Sequence, residues 1–147
     1  MTRSAQQDAV FATFASWQRG DLQLAPVTEL LGIEPLEIAD GQASVRMAAA
    51  EKHHNVFGTV HGGLLCALAD VAMGIALATM LDSEGFTTLE QHMDHLRSTR
   101  GSVLTAIAVV TRRGRQAAHL KCTILDADER IIAEASSVCL IFALDSA

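Results

Sequence analysis

The fold is decided by residues 54–81, which read HNVFGTVHGGLLCALADVAMGIALATML. In this segment Gly62 and Gly63 precede a run that is apolar on almost every helical face, and Asp70 is its single acid. A helix without a polar face has to be surrounded by other elements. The run is near the short end of the about 17–25 residues that a membrane span needs, and a central aspartate opposes insertion. We therefore predict one long buried helix that starts at the two glycines, and a specific use for Asp70.

The segments before this helix predict two shorter helices, a hairpin and a loop. Residues 4–19 carry a capping-box pair and apolar residues at helical spacing, and a second helix is predicted between Pro26 and Gly32. The pair Asp40-Gly41 is a strong signal for a two-residue hairpin turn. Residues 51–61 are rich in His, Asn and Gly and are predicted to form a loop.

Beyond the helix, after a turn placed at Asp82–Gly85, the pattern changes to that of strands. Four such segments follow one another through short turns, which favours antiparallel pairing: TTLEQHMDHLR, SVLTAIAVVT, RQAAHLKCTIL and RIIAEASSVCLIF. The fold class is therefore predicted to be α+β, with a largely antiparallel, curved sheet of about six strands around one long helix. Residues 1–147 are expected to form a single domain, of which residues 1–20 are an N-terminal helical extension.

The composition favours a homo-oligomer and excludes some classes of partner. Half of the residues are apolar and 19% are charged, fewer than the about 25% of a typical domain, so apolar surface is predicted to be buried between copies; a thick core is the alternative. The net charge of −6 without a basic stripe argues against nucleic acid. We see no signal peptide, and the three cysteines form no CxxC pair. A cytoplasmic protein without a membrane partner is expected.

The chemistry of the segment is concentrated at the start of the long helix. The first N–H groups of a helix lack intrahelical partners and lie at the positive end of its dipole, so they can stabilise an oxygen that becomes negative during a reaction. Asp70 follows Gly62 by eight residues, about 12 Å along the helix axis. It can therefore face a cleft whose far end the glycines line. The alternative is a structural carboxylate that is satisfied by neighbouring donors.

A metal site is not expected, although the chain contains six histidines. The sequence has no H-E-x-x-H motif and no Cys/His pair at zinc-binding spacing. His92 and His95 are three residues apart on a predicted strand, which places them on opposite faces. We expect no metal ion and no separate cofactor.

The motif HNVFGTVHGGLLCALAD resembles that of hotdog-fold acyl-CoA thioesterases, in particular the PaaI-like (phenylacetic acid degradation) branch of the 4-hydroxybenzoyl-CoA thioesterase superfamily. The resemblance extends from about the Leu31-Gly32 turn to Phe142. It implies a hotdog fold and hydrolysis of an acyl-CoA thioester to a carboxylic acid and coenzyme A, which is part of the substrate. It also implies a homodimer or a homotetramer. Its motif positions are in register at Asn55, Gly58, His61, Gly62, Gly63 and Asp70.

The resemblance implies a role for each matched position. Asp70 is similar to the carboxylate that activates water or attacks the thioester, and it usually reaches the site from the other protomer. Asn55 and the N–H of Gly62, beside Gly63, resemble the groups that polarise the thioester carbonyl. Thr88 falls where related enzymes orient the water, and His61 is expected to set the loop geometry. Coenzyme A phosphates are expected at the turn of Arg113, Gly114 and Arg115, for which the planar fork of arginine is suited.

Two other functions stay open at this point. A non-catalytic acyl-CoA binder or sensor would share the fold, although it would not need the carboxylate of Asp70. A hotdog dehydratase would pair an acid and a base in a different motif. By default, Asn55 is a turn residue and Thr88 a strand residue without a catalytic role.

Overall fold

The predicted elements are present in the computed structural model, which describes residues 2–145. A short 3-10 helix, Glu51–His53, lies in the loop before the long helix. The helices are α1 (Ala5–Gln18), α2 (Pro26–Leu31) and α3 (Gly62–Ala78), and the strands are β1 (Ile33–Ala39), β2 (Gln42–Ala48), β3 (Glu84–His95), β4 (Val103–Arg113), β5 (Ala117–Leu125) and β6 (Ile131–Ala143).

The six strands form one antiparallel sheet in the order β1-β2-β4-β5-β6-β3. Alternate residues of the central strands are buried, as expected for a sheet with one covered face. All six strands contact α3, whose residues Leu68, Ala69 and Ala72 are fully buried. The predicted α+β fold, an antiparallel sheet around one long helix, is confirmed.

The N-terminal helices lie against the β1 edge of the sheet. The predicted capping box is present, because Ser4 Oγ accepts the amide of Gln7 at 3.1 Å and the Gln7 side chain accepts the amide of Ser4 at 3.0 Å. Phe14 and Trp17 of α1 are buried. The opposite edge strand, β3, has no further strand beside it within residues 2–145 and exposes four consecutive residues, 87–90. The β1 edge of the sheet is therefore packed against the N-terminal helices, whereas the β3 edge is open to pairing with another chain.

The predicted turn at Asp82–Gly85 is wrong in its second half, because Glu84 and Gly85 belong to β3. The long strand β6 supplies their partners, Ala143 and Phe142. A side chain at position 85 would clash, since its Cβ would lie 2.7 Å from the ring of Phe142. The strand thus begins three residues before the predicted start, and a glycine that resembles a turn residue serves close packing instead.

The other end of β3 lies next to the start of α3. The strand ends at His95, two residues before the predicted end, because the amides of Leu96 and Arg97 both bond to the carbonyl of Ile132. Over residues 2–145, the longest apolar helix is too short to cross a membrane.

Candidate active site

A tight turn between the 3-10 helix and α3 fixes the side chain of Asn55. Its Oδ1 accepts the amides of Phe57 at 2.9 Å and Thr59 at 3.2 Å, and its Nδ2 donates to Thr59 Oγ1 at 2.9 Å. Gly58 permits this turn with a φ of 74°, which L-residues rarely adopt. An amide nitrogen has two hydrogens. One N–H of Asn55 is therefore left to donate to a ligand.

His61 caps the start of α3 and positions the two glycines. Its Nδ1 accepts the amide of Gly63 at 2.9 Å, and its own amide donates to the carbonyl of His53 at 2.9 Å. Because Nδ1 is an acceptor in this bond, the neutral ring carries its proton on Nε2. The amide of Gly62 makes no hydrogen bond among residues 2–145, so it can donate to an oxygen that approaches the helix end.

The side chain of His95, at the end of β3, lies directly on Gly62. A Cβ at position 62 would be 3.1 Å from His95 Cε1, so the imidazole ring would have to move away to admit a side chain there. A cavity of ≈ 350 Å³ opens here, and Leu65 and Arg97 contribute to its lining together with Asn55. The spacing of His95 from His92 bears only on metal binding, and nothing in the sequence indicates its position beside the glycine motif.

Asp70 lies in the middle of α3 on the one face that the sheet does not cover. Its Oδ1 accepts a hydrogen bond from Thr88 Oγ1 of β3 at 3.2 Å, and the residue is exposed in the single chain. Gly63 on the same face is exposed, and Ala67 and Gly74 are half-buried. The carboxylate is therefore available to a ligand, which a buried structural carboxylate would not be.

The structure brings the predicted residues together in two separate groups. Asn55, His61, Gly62 and Gly63 meet at the start of α3, and Asp70 pairs with Thr88. The two groups are about 12 Å apart along the helix axis, given 1.5 Å per residue. A single carbonyl group cannot contact both of them in one chain.

The third predicted group, at the β4–β5 turn, is distant from the start of α3. Gly114 closes this turn by donating its amide to the carbonyl of Ala117 at 2.8 Å. Arg113 is half-buried and pairs with Glu84, whereas Arg115 is exposed. Because Glu84 begins β3 and His95 ends it, this turn and the start of α3 lie at opposite ends of the protomer.

The histidines and carboxylates of the described residues are dispersed. Residues 2–145 contain no cluster of three or more His, Cys, Asp or Glu side chains that could hold an ion. The pair His92–Asp94, at 3.1 Å, lies on the outer face of the sheet, away from α3.

Comparison of the sequence and the fold with known proteins identifies thioesterases and related hydrolases. The family model described as Thioesterase superfamily matches residues 57–133. A 1,4-dihydroxy-2-naphthoyl-CoA hydrolase of Listeria monocytogenes is 30% identical over 71% of this chain and 85% of its own length. A variant of the phenylacetic acid degradation protein PaaI from Thermus thermophilus has a TM-score of 0.74 and 30% identity, over 82% of this chain and 100% of that one.

A thioesterase structure from Haemophilus influenzae shares the fold over 99% of this chain and 95% of its own, with a TM-score of 0.80 and 18% identity. The matched family segment contains the whole of α3, with Gly62 and Asp70, and Thr88 of β3. The chain belongs to the thioesterase superfamily.

Proposed function

We propose that this protein hydrolyses acyl-CoA thioesters to a carboxylic acid and coenzyme A. The observation that carries the proposal is the Asp70–Thr88 pair, a carboxylate exposed on the one uncovered face of an otherwise apolar helix. Family membership and the named CoA hydrolase among the relatives support the reaction class. Asp70 would supply the basic or nucleophilic oxygen, and Thr88 would hold it or orient the attacking water.

The active site is proposed to be shared between two copies of the chain. Contacts of Gly62 with His95 and of Gly74 with Phe86 indicate that α3 and β3 run in opposite directions. Antiparallel pairing of two exposed β3 edges would also reverse one α3 relative to the other. The Gly62 end of one copy then lies beside the Phe86 end of its neighbour, on the side of Asp70. A dimer, or a tetramer built from two such dimers, follows.

In this arrangement each cleft receives complementary groups from two chains. One copy contributes the free amide of Gly62 and the remaining N–H of Asn55, which would hold the thioester oxygen as it becomes negative. The other copy contributes Asp70, and its β4–β5 turn with Arg115 lies at the same end, where the phosphates of coenzyme A are expected. With Asp70 as the base, water gives its proton to the carboxylate as it adds to the carbonyl carbon. The carbon–sulfur bond then breaks, and coenzyme A leaves as the thiolate, which can take up that proton.

The reaction is tested by incubating the protein with a panel of acyl-CoAs and measuring release of free thiol. Turnover of at least one acyl-CoA is expected, and binding without release would identify a sensor instead. Light scattering tests the assembly: a mass near the 15.7 kDa of one chain at micromolar concentration would contradict the shared site.

Mixed dimers test the sharing of the site directly. Asp70→Asn and Asn55→Ala are each expected to inactivate the homodimer, but a mixture refolded together regains activity, because one of its two clefts receives an intact Asp70 and an intact Asn55. If both groups act within one chain, the mixture stays as inactive as its components.

A further inference from the structure

The turn that holds Asn55 presents two large apolar side chains to solvent. Val56 is 94% exposed and Phe57 is 79% exposed, whereas Phe14 and Trp17 elsewhere in the chain are 5% exposed. An exposed phenylalanine on a loop contributes nothing to the core of its own chain. Adjacent apolar residues at a loop tip are therefore expected to contact a ligand or another chain.

The backbone of Phe57 is rigidly connected to the candidate catalytic amide. Its N–H donates to Asn55 Oδ1 at 2.9 Å, and the carbonyl of Asn55 accepts the amide of Gly58 at 3.1 Å. The turn is closed by a further bond of 2.7 Å, from the amide of Asn55 to the carbonyl of Thr59. Any thioester bound by the free N–H of Asn55 therefore lies within a few ångströms of residue 57. Of the two apolar side chains at this turn that are not packed on their own protomer, the phenyl group is the larger, and its own amide holds Asn55.

We propose that Phe57 is a specificity-determining residue that covers the acyl group of the bound substrate. This inference rests on the proposed function and on the shared site. Phe57 acts in the cleft that receives Asn55 from its own protomer and Asp70 from the other. Its ligand is an apolar acyl group that is large enough to reach the ring.

The chemistry of the two halves of the substrate indicates that Phe57 contacts the acyl group and not the coenzyme A half. The pantetheine arm of coenzyme A contains amides, which need hydrogen-bond partners when they leave water. The phenyl ring offers none, but it can bury apolar surface and stack on a planar group. A bulky acyl group gains from contact with Phe57, whereas an acetyl group presents little surface to it.

The test compares the smallest and the bulkiest apolar acyl-CoA that the parent hydrolyses. Phe57→Ala is expected to lower kcat/KM for the bulky substrate by at least about tenfold, because pocket contacts of one or a few carbons are worth factors of about 10–200. The value for the small substrate should change by less than about threefold. Phe57→Leu keeps most of the apolar volume and should therefore retain most of the parent's discrimination between acyl groups, which is the ratio of kcat/KM for the bulky substrate to that for the small one.

Leu30→Ala is the matched control, because Leu30 is 73% exposed on α2 and is distant in sequence from the motif. Its kinetics should equal those of the parent. Equal losses of Phe57→Ala on both substrates, or a loss of dimer mass in light scattering, would show that Phe57 contacts the pantetheine arm or the neighbouring protomer and would overturn the proposal. A parent without turnover on any acyl-CoA would instead reject the proposed function itself.

Mixed dimers locate the residue within the cleft. In a dimer of Asp70→Asn and Asn55→Ala chains, the single intact cleft takes its Asn55 from the Asp70→Asn chain. Adding Phe57→Ala to that chain should remove the discrimination between acyl groups, and adding it to the Asn55→Ala chain should not. The reverse result would contradict the assignment of Phe57 to the cleft of its own Asn55.

Discussion

Replacement of Asp70 by Asn tests the central residue of the proposed mechanism without disturbing its surroundings. Asp70 is exposed in the single chain, and its side chain accepts one hydrogen bond, of 3.2 Å, from Thr88 Oγ1. An asparagine oxygen can accept the same bond, so Tm should change by less than about 2 °C. The substitution removes the basic oxygen, and loss of a positioned base costs at least about 100-fold in kcat, or about 2.7 kcal/mol of transition-state stabilisation.

The assay is thiol release under saturating acyl-CoA, with Tm and oligomer mass measured on the same samples. Coenzyme A affinity should be retained, because the nucleotide is expected at the β4–β5 turn. Asp94→Asn is the matched control, since Asp94 is an exposed carboxylate of β3 with one partner, His92 at 3.1 Å, on the outer face of the sheet. If folded Asp70→Asn turns over its best substrate within a few-fold of the parent, the carboxylate is structural and the mechanism is wrong.

Four further predictions concern the surroundings of the site and the stability of the chain. Gly58→Ala should lower kcat/KM strongly and Tm only slightly. The φ of 74° strains an alanine by about 1–2 kcal/mol, and relief of that strain moves the turn that holds the candidate amide. Burial raises the pKa of Cys122 to about 12, so iodoacetamide at pH 8 should leave it unmodified while half-buried Cys66 reacts, as mass spectrometry will show. The amide of Arg130 is the main cause of a lowered pKa at Asp126, so its stabilising effect is present above about pH 3.9 and is lost as the pH falls towards the folded-state pKa. Asp126→Asn should therefore lower Tm at pH 7, with a difference from the parent that narrows below about pH 4. Activity should survive dialysis against EDTA; a loss that one divalent ion restores would reveal a metal requirement.

Much of the fold could be predicted because its signals are local. The capping box at Ser4, the pair Asp40-Gly41 and the glycines that begin α3 each act through the backbone of their neighbours, and each element appears where these residues place it. The start of β3 was misplaced because Gly85 is typical of a turn in sequence. Its actual constraint is the ring of Phe142, a residue 57 positions later in the chain (142 − 85).

The exposure of Asp70 is harder to predict from the sequence. The composition of a helix gives its overall polarity, but it does not show which of its faces the sheet will cover. Most of α3 is apolar, and the sheet covers most of it, as predicted. The uncovered face carries small residues, Gly63 and Ala67 among them, whose polarity does not distinguish it from the buried faces. Only the packing of the strands shows that the single acid lies on the open face, where a substrate or a second chain can reach it.

The face of β3 on which His95 lies could not be predicted from the sequence. In a regular strand, alternation from Thr88 would place His95 on the opposite face, because the two residues are an odd number of positions apart. The pairing with β6 skips Leu89, however, and this β-bulge reverses the alternation for the rest of β3. Thr88 therefore points to Asp70 and His95 points to Gly62, both on the face that packs on the helix. One extra residue in one strand thus turns both Thr88 and His95 towards α3, and no motif in the sequence indicates it.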